Sequence, residues 1–247
     1  MSIDTHAHIT NEFYTDIPQI LSRSIQNGVH QIIVPGTNLS DSNSINQYKD
    51  PLLRYAVGIH PDESSYSIDK KQIFDLITDE TIAIGECGID LSREQDKKVQ
   101  EKLFRIQIEI AIEKKLPIII HTRNALRETY DILSSYYHKG NNNIGVVHSA
   151  DGDINILNKL IDIGFYLSFN GISTYKSADN IRNIIREVSI HKILVETDAP
   201  FLNPKGSKTK QNESANIKYV IDNINTVKGI HNTEEITENN AKLLFRL

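Results

Sequence analysis

From Glu94 to Arg123 the chain reads EQDKKVQEKLFRIQIEIAIEKKLPIIIHTR, and this stretch decides the fold. Val99, Leu103, Ile106 and Ile110 recur at helical spacing across Glu94–Lys115, and Leu116-Pro117 marks where that helix stops. Directly after it come three β-branched residues, Ile118-Ile119-Ile120, closed by His121. A long amphipathic helix leading into a wholly apolar strand points to a parallel sheet covered by helices, because strands of such sheets are buried on both faces. A residue able to bind a metal then stands at the strand's end.

The same alternation extends in both directions. Strands are expected at Met1–His8, Val29–Pro35, Arg54–Ile59, Ile82–Glu86, Pro117–His121, Ile144–His148, Phe165–Phe169 and Lys192–Asp198. Shorter helices are expected at Asp16–Asn27, Lys70–Thr78, Ala125–Tyr137, Ile154–Ile163 and Asp179–Val188. A last one, Glu234–Leu247, is read as covering the outside of the sheet with Ile236, Ala241, Leu244 and Phe245. Eight strands, each followed by a helix or a helix-sized connector, predict an α/β fold, the (β/α)8 TIM barrel. No linker, repeat or low-complexity segment interrupts the 247 residues, so residues 1–247 are expected to form a single domain.

Composition narrows the function. Hydrophobic residues are 39% and charged residues 24%, as in an ordinary globular domain. The net charge of −5, from 27 Lys and Arg against 32 Asp and Glu, argues against coating nucleic acid through a broad basic surface. It leaves room for an enzyme that holds phosphates locally with metal ions. Cys87 is the only cysteine, which excludes an intrachain disulfide and a thiolate zinc cage. The first residues lack the charge and apolar pattern of a signal peptide, and no apolar run approaches the roughly 18 residues of a membrane span. A cytoplasmic protein with no membrane partner is expected, a monomer by default.

The chemistry is read from position. His6 and His8, Glu86, His121, His148 and Asp198 all fall at the ends of expected strands. In a barrel the C-terminal strand ends meet on one face, so six ligand types scattered in sequence converge in space. Side chains at i and i+2 share a face, so Asp4, His6 and His8 go together, as do Glu196 and Asp198. An ionised pair turned to the helix layer would be costly to desolvate, which favours the solvent-connected rim. Each residue alone has a plainer reading, such as a satisfied core histidine or a turn-capping aspartate.

Asp4-Thr5-His6-Ala7-His8, Gly58-Ile59-His60-Pro61 and Ile84-Gly85-Glu86-Cys87-Gly88-Ile89-Asp90 occur in that order. Ile120-His121-Thr122-Arg123-Asn124-Ala125, Val147-His148-Ser149 and Leu194 to Leu202, LVETDAPFL, follow. Over essentially the whole chain this series resembles the TatD family of metal-dependent deoxyribonucleases, a branch of the amidohydrolase-like barrels. The resemblance implies a two-metal phosphodiester hydrolase acting on DNA ends or single strands. It implies that His6, His8 and Asp198 hold one divalent ion, that His121 and His148 hold the other, and that Glu86 bridges them. Asp4 would then steady a histidine ring through its free nitrogen. The family usually has Cys-Phe-Ser/Thr-Gly after its sixth-strand histidine and Asp where this chain has Asn124. Here the run is Ser149-Ala150-Asp151-Gly152, which bears on substrate range rather than on the ligands.

Two divalent cations lower the pKa of an attacking water and offset phosphoryl charge. Asp198 is the candidate for handling that water's proton, with Glu86 the second catalytic group. Arg123, His60, Lys205 and Lys208 are candidate substrate contacts, the lysines from the loop Lys205-Gly206-Ser207-Lys208-Thr209-Lys210 after the eighth strand. Asn212-Glu213 resembles a pair that follows this loop in the family. Four imidazoles suit zinc or manganese, whereas the family is described as magnesium-dependent, so Mg, Zn and Mn all stay open. Alternative readings are an aminoacyl-tRNA deacylase, a phosphotriesterase- or lactonase-like enzyme, and an idle barrel that only binds a partner. The phosphotriesterase type commonly bridges its metals with a carboxylated lysine in the fourth strand, where this chain has Glu86 and no lysine.

Overall fold

The structure is a computed structural model that describes residues 1–45 and 49–247. Eight parallel strands follow one another around the sheet in chain order. They are β1 Ser2–Asp4, β2 Val29–Pro35, β3 Leu53–Val57, β4 Thr81–Asp90, β5 Ile118–Arg123, β6 Gly145–Val147, β7 Phe165–Phe169 and β8 Ile193–Val195. The last seam is closed just beyond the strands. The Thr5 amide donates to the Val195 carbonyl at 3.1 Å, the Asp198 amide to His6 at 2.9 Å and the His8 amide to Ala199 at 2.7 Å. The expected (β/α)8 barrel is therefore what forms.

Nine α-helices occur among the described residues. They are α1 Ile17–Gln26, α2 Leu39–Ile45, α3 Lys70–Phe74, α4 Lys97–Lys114, α5 Leu126–Leu133, α6 Ile154–Asp162, α7 Asp179–Glu187, α8 Ile217–Lys228 and α9 Thr233–Phe245. The sequence reading named no helix at α2 or α8. The first is a polar run, LSDSNSI, and the second lacks a side-chain cap, although Ile217, Val220, Ile221 and Ile224 line its buried face.

Alternation along the strands sorts the apolar residues into two layers. Ile3, Ile33, Ala83, Ile119, Val146 and Leu194 fill the lumen, while Ile32, Ile84, Ile120, Val147 and Val195 face the helices. Helix α9 departs from expectation. Its Ala241, Leu244 and Phe245 join the lumen cluster, and the Asn240 side chain donates through Nδ2 to the carbonyls of Ile190 and Ile193 at 2.9 and 2.8 Å. It plugs the end where β8 begins instead of covering the outside. With that end stoppered, the barrel opens at the rim where the strands finish.

Helix α4 fixes two segments of that rim. Gln100 and Gln107, seven residues apart, share one helical face and are fully buried. The Gln107 side chain accepts from the Ile59 amide at 2.8 Å and donates to the Ile59 carbonyl at 3.1 Å. Gln100 does the same for Asp90, at 2.8 and 3.1 Å. Glutamines thus supply the backbone partners that the ends of β3 and β4 lack, and hold His60 and Asp90 in place.

Candidate metal centre

Strands β1, β6 and β8 are only three residues long, so His6, His8, His148 and Asp198 stand on short extensions past the ladders. Glu86 and His121 lie within β4 and β5. Gly85 and Gly88 flank Glu86 for a steric reason. A Cβ on Gly85 would lie 2.6 Å from the Ile119 carbonyl oxygen, and one on Gly88 would lie 1.9 Å from that of His121. Both have positive φ, +138° and +148°. Only glycine admits so close an approach of β4 to β5, and the register between them shifts across Ile84–Cys87 at the carboxylate. Cys87 takes the opposite side and is buried in the outer core, as expected.

The barrel brings all six predicted ligand residues together. His6 Nε2 and His8 Nε2 lie 3.3 Å apart. Asp198 Oδ1 is 3.7 Å from the first and 3.5 Å from the second, and Glu86 Oε2 is 3.2 and 3.8 Å from them. The other Glu86 oxygen, Oε1, lies 2.9 Å from His121 Nδ1 and 3.5 Å from His148 Nε2. One carboxylate therefore divides its two oxygens between two donor groups. The rings of His6 and His148 stack at 3.9 Å, so the groups adjoin.

Remote nitrogens decide which face each imidazole offers. His148 Nδ1 lies 3.0 Å from Glu196 Oε1, which also accepts from the Ser149 amide and the Asn170 side chain, and this leaves Nε2 to face Glu86. His121 Nε2 lies 3.0 Å from Asp90 Oδ2, leaving Nδ1 for the centre. His60 is built the other way. Its Nδ1 accepts from the Asp62 amide at 3.1 Å, so the neutral ring carries its proton on Nε2, 3.8 Å from Glu86 Oε1. That makes His60 a hydrogen-bond donor into the cavity.

Neither Asp90 nor Glu196 was expected to orient a histidine, although Glu196 was placed on one face with Asp198. Their signals were spacing: Asp90 lies four residues after Glu86 in the same strand, and Glu196 two before Asp198. Asp4 is a correction. The chain bends at Thr5, so the period-two pattern stops at Asp4 and its carboxylate enters the β1–β8 seam. There it accepts from the Thr197 amide and hydroxyl, at 2.9 and 2.5 Å, and from the His6 amide at 3.3 Å. It braces the backbone between ligands and makes no hydrogen bond to a histidine ring among the described residues. His6 Nδ1 and Glu196 Oε2 are both buried without a partner among the described residues.

Charge follows this layout. Burial alone would push the His148 imidazole down, but the carboxylates of Glu196, Glu86 and Asp198 outweigh it and hold it up at about 10. Burial, reinforced by His148, lowers His6, and burial lowers His60 to about 4 against the pull of Glu86. Burial would raise Glu86 and Asp198, yet the surrounding imidazoles carry both below the carboxylate range. Burial raises Asp4 to about 7, against the hydrogen bonds it accepts from Thr197.

These residues fit divalent cations. Four imidazoles and two carboxylates converge, with Nε2 of His6 and Nε2 of His8 only 3.3 Å apart. His6, His8 and Glu86 place donor atoms within 4.8 Å of one another, and Glu86 Oε1 faces His121 Nδ1 and His148 Nε2. A cation on His148 Nε2 requires the proton there to leave. Metal uptake near pH 7 is therefore expected to release about one proton per chain from this ring, with affinity rising as pH rises. Calorimetry in buffers of different ionisation enthalpy measures it; uptake without proton release contradicts the assignment. Replacing Glu196 by glutamine is expected to weaken metal binding about ten- to a hundredfold, read by competition with a chelating dye. Unaltered affinity would remove Glu196 from the orienting role.

Among the proposed substrate contacts, Arg123 and His60 line the cavity above the centre, which measures about 970 Å³. Arg123 is exposed there and makes no ion pair among the described residues. Lys205 and Lys208 do not line it. Their loop is tied sideways, the Lys205 amide donating to Thr174 Oγ1 at 2.8 Å and Asn203 Nδ2 to the Thr209 carbonyl at 2.7 Å, and both lysines are exposed. Asn212 serves the backbone, donating to the carbonyls of Thr197 and Phe201 at 2.8 and 2.6 Å. Asn124 has φ +53°, a left-handed conformation that Asn and Asp adopt most readily, so the change from the usual Asp keeps the turn.

A family profile described as TatD related DNase matches residues 3–246. An uncharacterized metal-dependent hydrolase of Bacillus subtilis, YabD, is 34% identical, with all of both chains covered. A protein of Pectobacterium carotovorum named 3'-5' ssDNA/RNA exonuclease TatD is 28% identical, over 96% of each chain. The crystal structure of the TatD homolog YJJV from Escherichia coli K12 superposes with a TM-score of 0.88 at 26% identity, covering 100% of this chain and 98% of that one. The profile spans the chain, and the histidine and carboxylate clusters suit a metal-dependent hydrolase: this protein belongs to the TatD-related DNase family.

Proposed function

We propose that the chain is a two-metal phosphodiesterase that removes nucleotides from DNA ends or single strands. The observation that carries this reading is the division of the Glu86 carboxylate, Oε2 toward His6 and His8 and Oε1 toward His121 and His148. The exonuclease name of the Pectobacterium relative supports the choice of substrate. When bound, a pair of divalent cations supplies a nucleophilic water at neutral pH and offsets the charge on a phosphoryl group.

The chain's own residues do the rest. Asp198, ionised and beside both N-terminal imidazoles, accepts the proton of the attacking water. His60 donates Nε2–H to a phosphoryl oxygen, because burial keeps it neutral and the Asp62 amide fixes its tautomer. Arg123 holds a second phosphate oxygen with a guanidinium that no carboxylate occupies among the described residues. The fully buried floor of the centre excludes bulk water behind the reacting group.

Excess chelator is expected to abolish cleavage of end-labelled single-stranded DNA, and added Mg, Mn or Zn to restore it. Undiminished cleavage in chelator sinks the metal mechanism. Replacing Arg123 by alanine is expected to lower kcat/KM about ten- to a hundredfold, the worth of a hydrogen bond to a charged group. Steady-state kinetics checks this, and an unchanged value removes Arg123 from phosphate binding.

A further inference from the structure

Phe201 is a large apolar side chain left 48% exposed on the wall of the active cavity. Its backbone is pinned on both sides: the Phe201 amide donates to the Asp198 carbonyl at 2.9 Å, and the carbonyl accepts from Asn212 at 2.6 Å. Its ring meets Phe13 edge to face at 5.3 Å and 76°, and lies 6.0 Å from the ring of His8. Phe13 stands behind it on the same wall, 6.3 Å from His8. A phenyl ring on a braced backbone thus stands in the open, 6.0 Å from the His8 ring and one nucleotide's reach from the donor group of His6, His8 and Asp198.

The wall's charge limits what reaches this ring. Glu12, Glu63, Asp151 and Asp153 line the cavity against Arg93 and Arg123, and Arg93 is already paired with Asp62 at 3.1 Å. Such a wall repels a tract of consecutive phosphates, and the energy of holding a substrate has to come from elsewhere. Stacking supplies it without regard to sequence, because every base has a π-face.

The geometry points to Phe201 as a stacking platform for the nucleobase of a single terminal, unpaired nucleotide. Phe13 serves as its edge-on support. This rests on the phosphodiesterase reading and adds to it the side chain that holds the terminal base.

The test compares binding of deoxyadenosine monophosphate and 2-deoxyribose 5-phosphate to the metal-loaded protein by calorimetry, in wild type, Phe201→Ala and Phe201→Trp. Wild type is expected to bind the base-bearing ligand on the order of tenfold more tightly. That preference should collapse in Phe201→Ala and persist in Phe201→Trp. A preference retained by Phe201→Ala, or absent from wild type, overturns the platform. Cleavage of single-stranded oligonucleotides by wild type is assayed in parallel. The preference without cleavage upholds the platform and defeats the phosphodiesterase reading, while cleavage without the preference does the reverse.

Discussion

The Asp198→Asn variant is expected to keep its fold and lose about 10²- to 10⁴-fold in kcat, the usual worth of a positioned general base. The backbone reason for an intact fold is specific. Asp198 has φ +55°, and asparagine tolerates the left-handed region as aspartate does. Its amide still donates to the His6 carbonyl at 2.9 Å, so the β1–β8 seam stays closed. The side chain keeps an oxygen near His6 and His8 but no longer accepts a proton at neutral pH. Single-turnover cleavage, with circular dichroism and metal content measured on the same sample, separates loss of chemistry from loss of ions. A variant that retains metal and turns over at the wild-type rate would show that another group takes the proton.

Removing the bridge should have the second large effect. Glu86→Ala deletes a carboxylate whose two oxygens lie 3.2 Å from His6 Nε2 and 2.9 Å from His121 Nδ1. His148 and His121 also lose the negative charge that helps hold them up. The expected result is at most one tightly held ion per chain. A metal ion contributes several kcal/mol to stabilising the transition state, so kcat/KM should fall by about a thousandfold. Elemental analysis after gel filtration, paired with kinetics, checks both. Two ions retained per chain would contradict a bridging role.

Much of this was legible in the sequence because the ligand set is a matter of residue type and strand ends. Ile118–His121 declared both a buried strand and its terminal imidazole, and the barrel's topology did the gathering. The orienting groups were harder to see. Asp90 and Glu196 are ordinary acidic residues until the fold sets them beside the remote nitrogens of His121 and His148. The helical spacing of α4 predicted a buried stripe, but nothing in it said that Gln100 and Gln107 would clamp the backbone at Asp90 and Ile59.

Where expectation failed, a local departure from periodicity was the cause. The bend at Thr5 took Asp4 out of phase with His6 and His8, so its carboxylate found Thr197 and not an imidazole. The apolar stripe of α9 specified burial but not the surface it meets, and the surface proved to be the end of the lumen where β8 begins. For the lysine loop, charge alone could not tell a phosphate clamp from a solvated turn; the loop is tied to Thr174 and within itself, and Lys205 and Lys208 do not line the cavity.

The most direct measurement is anomalous X-ray diffraction from crystals of the protein grown with manganese or zinc. The account predicts two peaks, one on either side of the Glu86 carboxylate. The first is enclosed by His6, His8 and Asp198 and the second is held by His121 and His148. A single peak, or peaks that leave either Glu86 oxygen without a cation, would contradict it.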